Sequence, residues 1–298
     1  MRSGHGRWLA GLFGHLIGQL TRGLKRKADE AVHLIDSTSL RLSALSQDWA
    51  QFATGVCGAK MHVIYDPDAD CPIYAAVTPA KVNDITAAKA MPITAGATYV
   101  FDLGYYDYGW WAKLDAAGCL IVTRLKVNTK LKVVAENVVA KGSDILSDRI
   151  GHLPQRLARN RSNPFHDPVR EVRVRSESGK VLRILTNDLD LPARKIADLY
   201  KRRWQIELFF RWVKQTLKIR HFLGRTENAV RIQIAVALIA FLLLRLAHAA
   251  QRAIPSPLIF ARLVRANLMH RRPLNRLLEP PPPIQQNRRQ LSFNLCQN

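Results

Sequence analysis

Three acidic residues of this 298-residue chain stand where a hard divalent cation would want them. Asp36 closes a strand candidate, Ala31–Ile35 (AVHLI), and opens the turn-forming trio Asp36-Ser37-Thr38. Asp102 closes a second, Thr98–Phe101 (TYVF), with Gly104 in the turn behind it. Carboxylates at the ends of neighbouring strands share one crevice of an α/β sheet. Oxygen-ligated Mg²⁺ keeps open positions there for water and phosphate. Taken singly, either Asp reads as readily as a turn or N-cap residue.

Glu207 is the third acid, inside the helical pattern Tyr200–Lys214 (YKRRWQIELFFRWVK). At about 100° per residue, Tyr200, Arg203, Glu207 and Lys214 fall within an arc of about 60°. Leu199, Ile206, Phe209, Phe210, Val213 and Leu217 form a separate apolar stripe about 100° wide. The helix is therefore expected to pack by one face and to offer a Tyr-Arg-Glu-Lys row on the next, bordered by Trp204 and Arg211. A surface ladder explains part of this, since Arg203–Glu207 and Glu207–Arg211 are i, i+4 pairs. It does not explain Tyr200 and Trp204 beside cations, which suit phosphates and unstacked bases.

The charge balance points to a polyanionic partner. Forty-five Lys and Arg against twenty-three Asp and Glu give a formal net charge of +22, and such a field binds phosphates by releasing counterions. The cations are spread along the chain, with Arg124, Lys126, Lys130, Lys132, Lys141, Arg149, Arg156, Arg159 and Arg161 crowding the middle. Four cysteines without a C-x-x-C pair suit a reducing, cytoplasmic setting. Scattered His residues, with no H-E-x-x-H, argue against structural zinc. The longest apolar run, Ile234–Leu244, is shorter than the roughly 20 residues of a membrane span, so it reads as a buried helix and no membrane is expected.

The elements that must position these residues can be read from the pattern. Residues 1–27 are basic and Gly-spaced, one helix at most. Further strands are expected at Val56–Tyr65, Pro72–Val77 and Cys119–Arg124, with helices at Asp84–Ala90 and Tyr106–Ala116. Residues 125–186 turn basic and alternating, as an antiparallel sheet inserted into the main fold would. A long helical pattern then runs from Leu191-Pro192 to about Lys218, a second covers Glu227–Ala250, and Leu258–Leu268 leads to an extended stretch at Pro280–Pro283.

At the Glu207 helix the sequence resembles the DDE transposases of the insertion-sequence-four group. Its spacing Tyr-(2)-Arg-(3)-Glu-(6)-Lys is met by Tyr200, Arg203, Glu207 and Lys214. IDST at Ile35–Thr38, GAKMHV at Gly58–Val63 and VFDLGYYDY at Val100–Tyr108 match the family's upstream blocks in order, and the likeness covers roughly residues 30–278. The resemblance implies an α/β, ribonuclease H-like catalytic core, a mixed sheet flanked by helices, interrupted by a β-rich insertion. That gives a core at 28–124 and 187–252, an insertion at 125–186, an end-binding remnant at 1–27 and a basic tail at 253–298.

It also implies the chemistry. Asp36, Asp102 and Glu207 would bind two Mg²⁺ (or Mn²⁺) ions; Tyr200, Arg203, Lys214, Arg211 and Trp204 would contact DNA. The partners would be double-stranded DNA, as terminal inverted repeats and target, and a second copy of the chain in a homodimer on that DNA. An aromatic residue from the insertion captures a flipped base in the family; the insertion here offers only Phe165. Only 35 residues precede Asp36, fewer than is usual in the family, so weak or non-specific binding of terminal repeats is expected. Two other readings share these features: another ribonuclease H-like metal endonuclease, and a truncated, inactive transposase that only binds DNA.

Overall fold

A computed structural model describes residues 4–22, 24, 27–155, 162–217, 219, 221–251 and 253–268. The expected polyproline stretch at 280–283, the cations beyond residue 268, and Arg156, Arg159 and Arg161 lie outside these residues. By its contacts the chain falls into two units, 1–243 and 244–298.

The described chain opens with helix α1 (Gly4–Thr21). Strand β1 (Val32–Leu42) is buried on both faces over Val32–Ile35 and alternates from Thr38 on, with Thr38, Leu40 and Leu42 buried and Ser39 and Arg41 exposed. That is the pattern of a strand that enters a sheet covered on both sides and leaves it half covered. A short helix α2 (Gln47–Ala50) and strand β2 (Gln51–Ala53) lead into β3 (Val56–Asp66) and β4 (Cys71–Pro79), then helix α3 (Asp84–Ala88). Strand β5 (Thr98–Val100), helix α4 (Tyr108–Ala116) and strand β6 (Leu120–Arg124) come next.

Apart from the short β2, which pairs with the start of β3, the first strands lie in the order β4-β3-β1-β5-β6. β3 is antiparallel to both β4 and β1, whereas β5 is parallel to β1 and β6 parallel to β5. This mixed order, with helices on the sheet, is that of a ribonuclease H-like core. Neighbouring residues on a strand point to opposite faces, and the helices obey that rule. Ile35 and Ile64 join the aromatic cluster of Phe101, Tyr105, Trp110 and Trp111 on the α4 face. The next residue on β3, Tyr65, meets Phe209 of the Glu207 helix at 5.1 Å on the other.

Residues 125–186 depart from expectation in one respect. They form β7 (Lys132–Glu136), β8 (Ile145–His152), β9 (Val169–Arg175) and β10 (Val181–Thr186). These strands are antiparallel, as the alternation indicated, but they do not make a separate sheet: β10 pairs with β6, and β9, β8 and β7 extend the core sheet outward. A buried ion pair ties this extension to the segment between β10 and the next helix. Arg170 donates from Nε and Nη2 to the two carboxylate oxygens of Asp148 at 2.7 Å, and from Nη1 to the carbonyls of Leu189 and Leu191.

The single long helix expected after Pro192 is two: α5 (Ala193–Arg202) and α6 (Trp204–Thr216). Arg203 keeps helical angles, but its N–H donates to the Tyr200 carbonyl three residues back, a tightened turn that re-aims the axis. Packing supplies the reason. α5 lies against β6, β8, β9 and β10, while α6 lies against β1. The turn carries the chain from the outer half of the sheet to the inner half.

Helix α7 (Glu227–Ala249) is 23 residues, twice the apolar run seen in the sequence, and is long and apolar enough to cross a membrane. Its Phe241 meets Phe209 and Trp212 of α6 at 5.1 and 5.0 Å, and Val230, Ile234, Leu238 and Leu242 are buried. In the second unit, helix α8 (Pro257–Asn267) starts at Ser256, whose hydroxyl accepts from the Ile259 N–H.

Candidate active site

Asp36 does not close its strand. β1 continues six residues past it, because Ser37–Leu42 stay paired with Cys57–His62 of β3. The crevice exists for another reason: pairing of β1 with β5 covers only Val32–Leu34, and β5 ends at Val100. Asp36 thus lies just past the point where its parallel neighbour turns away, with Asp102 in that turn. Ile35 points into the α4 face, so Asp36 points to the α6 face.

Each acid is held locally. Asp36 Oδ1 accepts from the Ser37 N–H at 2.7 Å. Asp102 caps the turn Leu103–Tyr105, its Oδ1 accepting from the Gly104 N–H at 2.8 Å. Its neighbours Phe101 and Tyr105 are buried in the aromatic cluster, where the Trp111 indole donates to the Tyr105 carbonyl. A side chain on Gly104 would place its Cβ 3.0 Å from Asp102 Oδ1, so the Asp102 carboxylate would have to shift to admit one. Glu207 sits in the first turn of α6, which Phe209 anchors between Tyr65 and Phe241.

Arg203, at the tightened turn, ties two of the acids together. Its Nη2 donates to Glu207 Oε1 at 2.6 Å and its Nη1 to Asp36 Oδ2 at 3.4 Å. Burial pushes the Asp36 carboxyl up to about 7; the Ser37 N–H and Arg203 oppose this, and the negative charges of Asp102 and Glu207 reinforce it. Two carboxylates therefore share one guanidinium, Asp102 lies within electrostatic reach of Asp36, and the cluster is short of positive charge. That shortage, and an all-oxygen donor set, fit a hard divalent cation. Among the described residues no three His, Cys, Asp or Glu side chains stand close enough to share one ion without moving; with Arg203 between them, Asp36 and Glu207 would have to draw together.

The remaining residues of the expected row separate. Tyr200 is on α5, not α6, and its ring is buried; its hydroxyl lies among Arg203, Arg124 and Asp102, and burial raises its pKa. The Arg203 guanidinium is 5.9 Å from the Tyr200 ring centre. Lys214 is half-buried on α6, two turns beyond Glu207. Trp204 is half-exposed, with the Arg211 guanidinium 5.9 Å from its ring. Phe165 is 4% exposed inside the α4-face cluster and is closed to a base.

Sequence reasoning missed one acid. Asp84, read only as the start of a short helix, accepts from the Ser37 hydroxyl at 2.7 Å and from Lys60 Nζ at 3.1 Å. The Ser37 following Asp36 in IDST was its sole sequence trace.

The chain is similar in sequence to known proteins. The transposase named y4zB of Sinorhizobium fredii is 44% identical over 272 residues, 91% of this chain and 76% of that protein. A transposase named for insertion sequence element IS5377 of Geobacillus stearothermophilus is 30% identical over 77% of this chain and 60% of its own length. A solved piggyBac transposase synaptic complex with hairpin DNA superposes with a TM-score of 0.46 at 10% identity, over 83% of this chain and 56% of the other, too distant to carry a functional argument. The pattern of the family described as "Transposase DDE domain" matches residues 27–243 and spans all three acids, so the chain belongs to the DDE transposase family.

Proposed function

We propose that this chain is a cut-and-paste DNA transposase of the insertion-sequence-four, Tyr-Arg-Glu-Lys subgroup, with Asp36, Asp102 and Glu207 as its catalytic carboxylates. The supporting observation is that these acids, distant in sequence, come together in the crevice beyond β5, Asp36 and Glu207 on Arg203 and Asp102 within electrostatic reach of Asp36. Asp36, Asp102 and Glu207 would hold two Mg²⁺ (or Mn²⁺) ions, which supply activation of the attacking oxygen and stabilisation of the leaving one. Arg203 neutralises the acids until DNA arrives and then turns its guanidinium to a phosphate. Tyr200 contributes its hydroxyl alone, since its ring is buried. Trp204 and Arg211 offer a stacked aromatic–cation surface to a base or sugar at the transposon end, and Lys214 adds a phosphate contact.

In this reading water attacks the phosphorus at the element's end and the 3′-oxygen leaves. The freed 3′-hydroxyl attacks the opposite strand to give a hairpin; a second water opens it, and the 3′ ends attack target DNA. Two ends cut together call for a homodimer on terminal inverted repeats. Residues 125–186 act as the insertion, a basic extension of the core sheet, with 1–27 as the remnant of an end-binding region and 253–298 as a basic tail. The test is incubation with Mg²⁺ and DNA bearing the inverted repeats that flank the gene. Hairpin ends on a denaturing gel, followed by joining to a target plasmid, are expected. Cleavage without hairpins or joining would assign the chain to the metal endonucleases instead.

A further inference from the structure

The crevice contains a carboxylate that the three-acid reading does not use. Asp84 Oδ1 is fixed by the Ser37 hydroxyl at 2.7 Å and by Lys60 Nζ at 3.1 Å, and Lys60 is itself held by the Val82 carbonyl at 3.1 Å. These contacts aim the other oxygen, Oδ2, at the Asp102 turn. A Cβ built on Gly104 would lie 3.5 Å from Asp84 Oδ2 and 3.0 Å from Asp102 Oδ1. Oxygens of both acids therefore border the same space beside Gly104, which a methyl group there would enter.

A second observation marks the same place. Tyr105 is 1% exposed, and its hydroxyl has no partner in hydrogen-bonding geometry. It lies within electrostatic reach of Asp36, Asp84 and Asp102 and beside Ser37. A buried phenol without an acceptor is costly. Ser37 Oγ, which donates to Asp84, stands beside it as a poorly aligned acceptor; a carboxylate oxygen turned toward the phenol, or a water held among these acids, would complete its hydrogen bonding.

We propose that Asp84 is a fourth carboxylate of the cation site, sharing one divalent ion with Asp102 on the side of Asp36 away from Glu207. The inference rests on the reading of Asp36, Asp102 and Glu207 as cation ligands. Four carboxylates in place of three would offset the charge of two cations more fully, and Lys60 would set how much of the Asp84 charge is left for the ion.

The test is Mn²⁺ binding to the full chain without DNA, followed by electron paramagnetic resonance, for wild type, Asp84→Asn, Lys60→Met and Glu207→Gln. Asp84→Asn is expected to weaken Mn²⁺ binding by about tenfold or more, and Lys60→Met to tighten it severalfold by removing a cation from the Asp84 carboxylate. Circular dichroism reports whether each variant folds; should Asp84→Asn not fold, Lys60→Met decides, and unchanged or weaker binding overturns the proposal. Wild-type affinity in Asp84→Asn, with binding weakened in Glu207→Gln, overturns the proposal and leaves the three-acid reading standing. Wild-type affinity in both Asp84→Asn and Glu207→Gln overturns the two together.

Discussion

Replacing Asp148 by Asn keeps the shape of a buried ion pair and removes its negative charge. The side chains of Arg170 and Asp148 are 5% and 4% exposed, so the guanidinium left behind has little access to water. It keeps the carbonyls of Leu189 and Leu191, which are dipoles rather than charges. Removing one partner of such a pair costs about 3–5 kcal/mol. That is a large share of the roughly 5–15 kcal/mol that holds a domain folded. It corresponds to a fall in Tm of roughly 6–20 °C at this size. Urea unfolding followed by circular dichroism measures the loss directly. The double variant Asp148→Leu/Arg170→Met leaves no unpaired charge and is expected to recover at least half of it. A single-variant loss below about 1 kcal/mol, or a double variant no more stable than the single, would refute this view of how β8 and β9 are locked to the segment entering α5.

Further outcomes concern the site itself. The folded-state pKa of Asp36 lies above its ordinary value of 3.8, at about 7; its neutral form is favoured by folding, and the stability this lends is full below 3.8 and lost as pH rises through 7. Metal-free protein is thus expected to lose stability between about pH 4 and pH 7, and Asp36→Asn to flatten that slope in thermal melts; equal slopes would contradict it. Gly104→Ala forces a Cβ against the Asp102 carboxylate, so cleavage should fall at least about tenfold with less than about 1 kcal/mol lost in urea unfolding; full activity would show that Asp102 tolerates displacement. Arg203→Ala and Lys214→Ala should each weaken DNA binding and reduce its salt slope by about one in filter-binding titrations, whereas an unchanged slope would return both to a structural role.

The residues show which parts of this arrangement a sequence discloses. The Asp102 turn was legible because its determinants are local: an apolar strand, an N-capping Asp and Gly104 two residues on. Asp36 was misplaced at a strand end because Asp-Ser-Thr is turn chemistry, and only pairing with β3 keeps Ser37–Leu42 extended. The turn at Arg203 contains no Gly or Pro; it is imposed by α5 and α6 packing on different strands. Pairing of β10 with β6 joins segments some sixty residues apart, so the alternation at 125–186 gave strand type without giving the sheet. Asp84 reaches Ser37 across forty-seven residues, a distance no local pattern spans. α7 was legible nearly to the residue, expected at Glu227–Ala250 and found at Glu227–Ala249, because its apolar run and its helical period are local.

The meeting of Asp36, Asp102 and Glu207 as one centre is tested most directly by Glu207→Gln, which keeps the size of the side chain and removes its charge. Wild type and variant would be compared with Mg²⁺ on supercoiled DNA carrying the flanking repeats, with DNA affinity measured alongside. Nicks and hairpins at the ends in wild type, absent in the variant while binding persists, are the expected result. Cleavage by Glu207→Gln at the wild-type rate would contradict the assignment of Glu207, and with it the single centre built around Arg203.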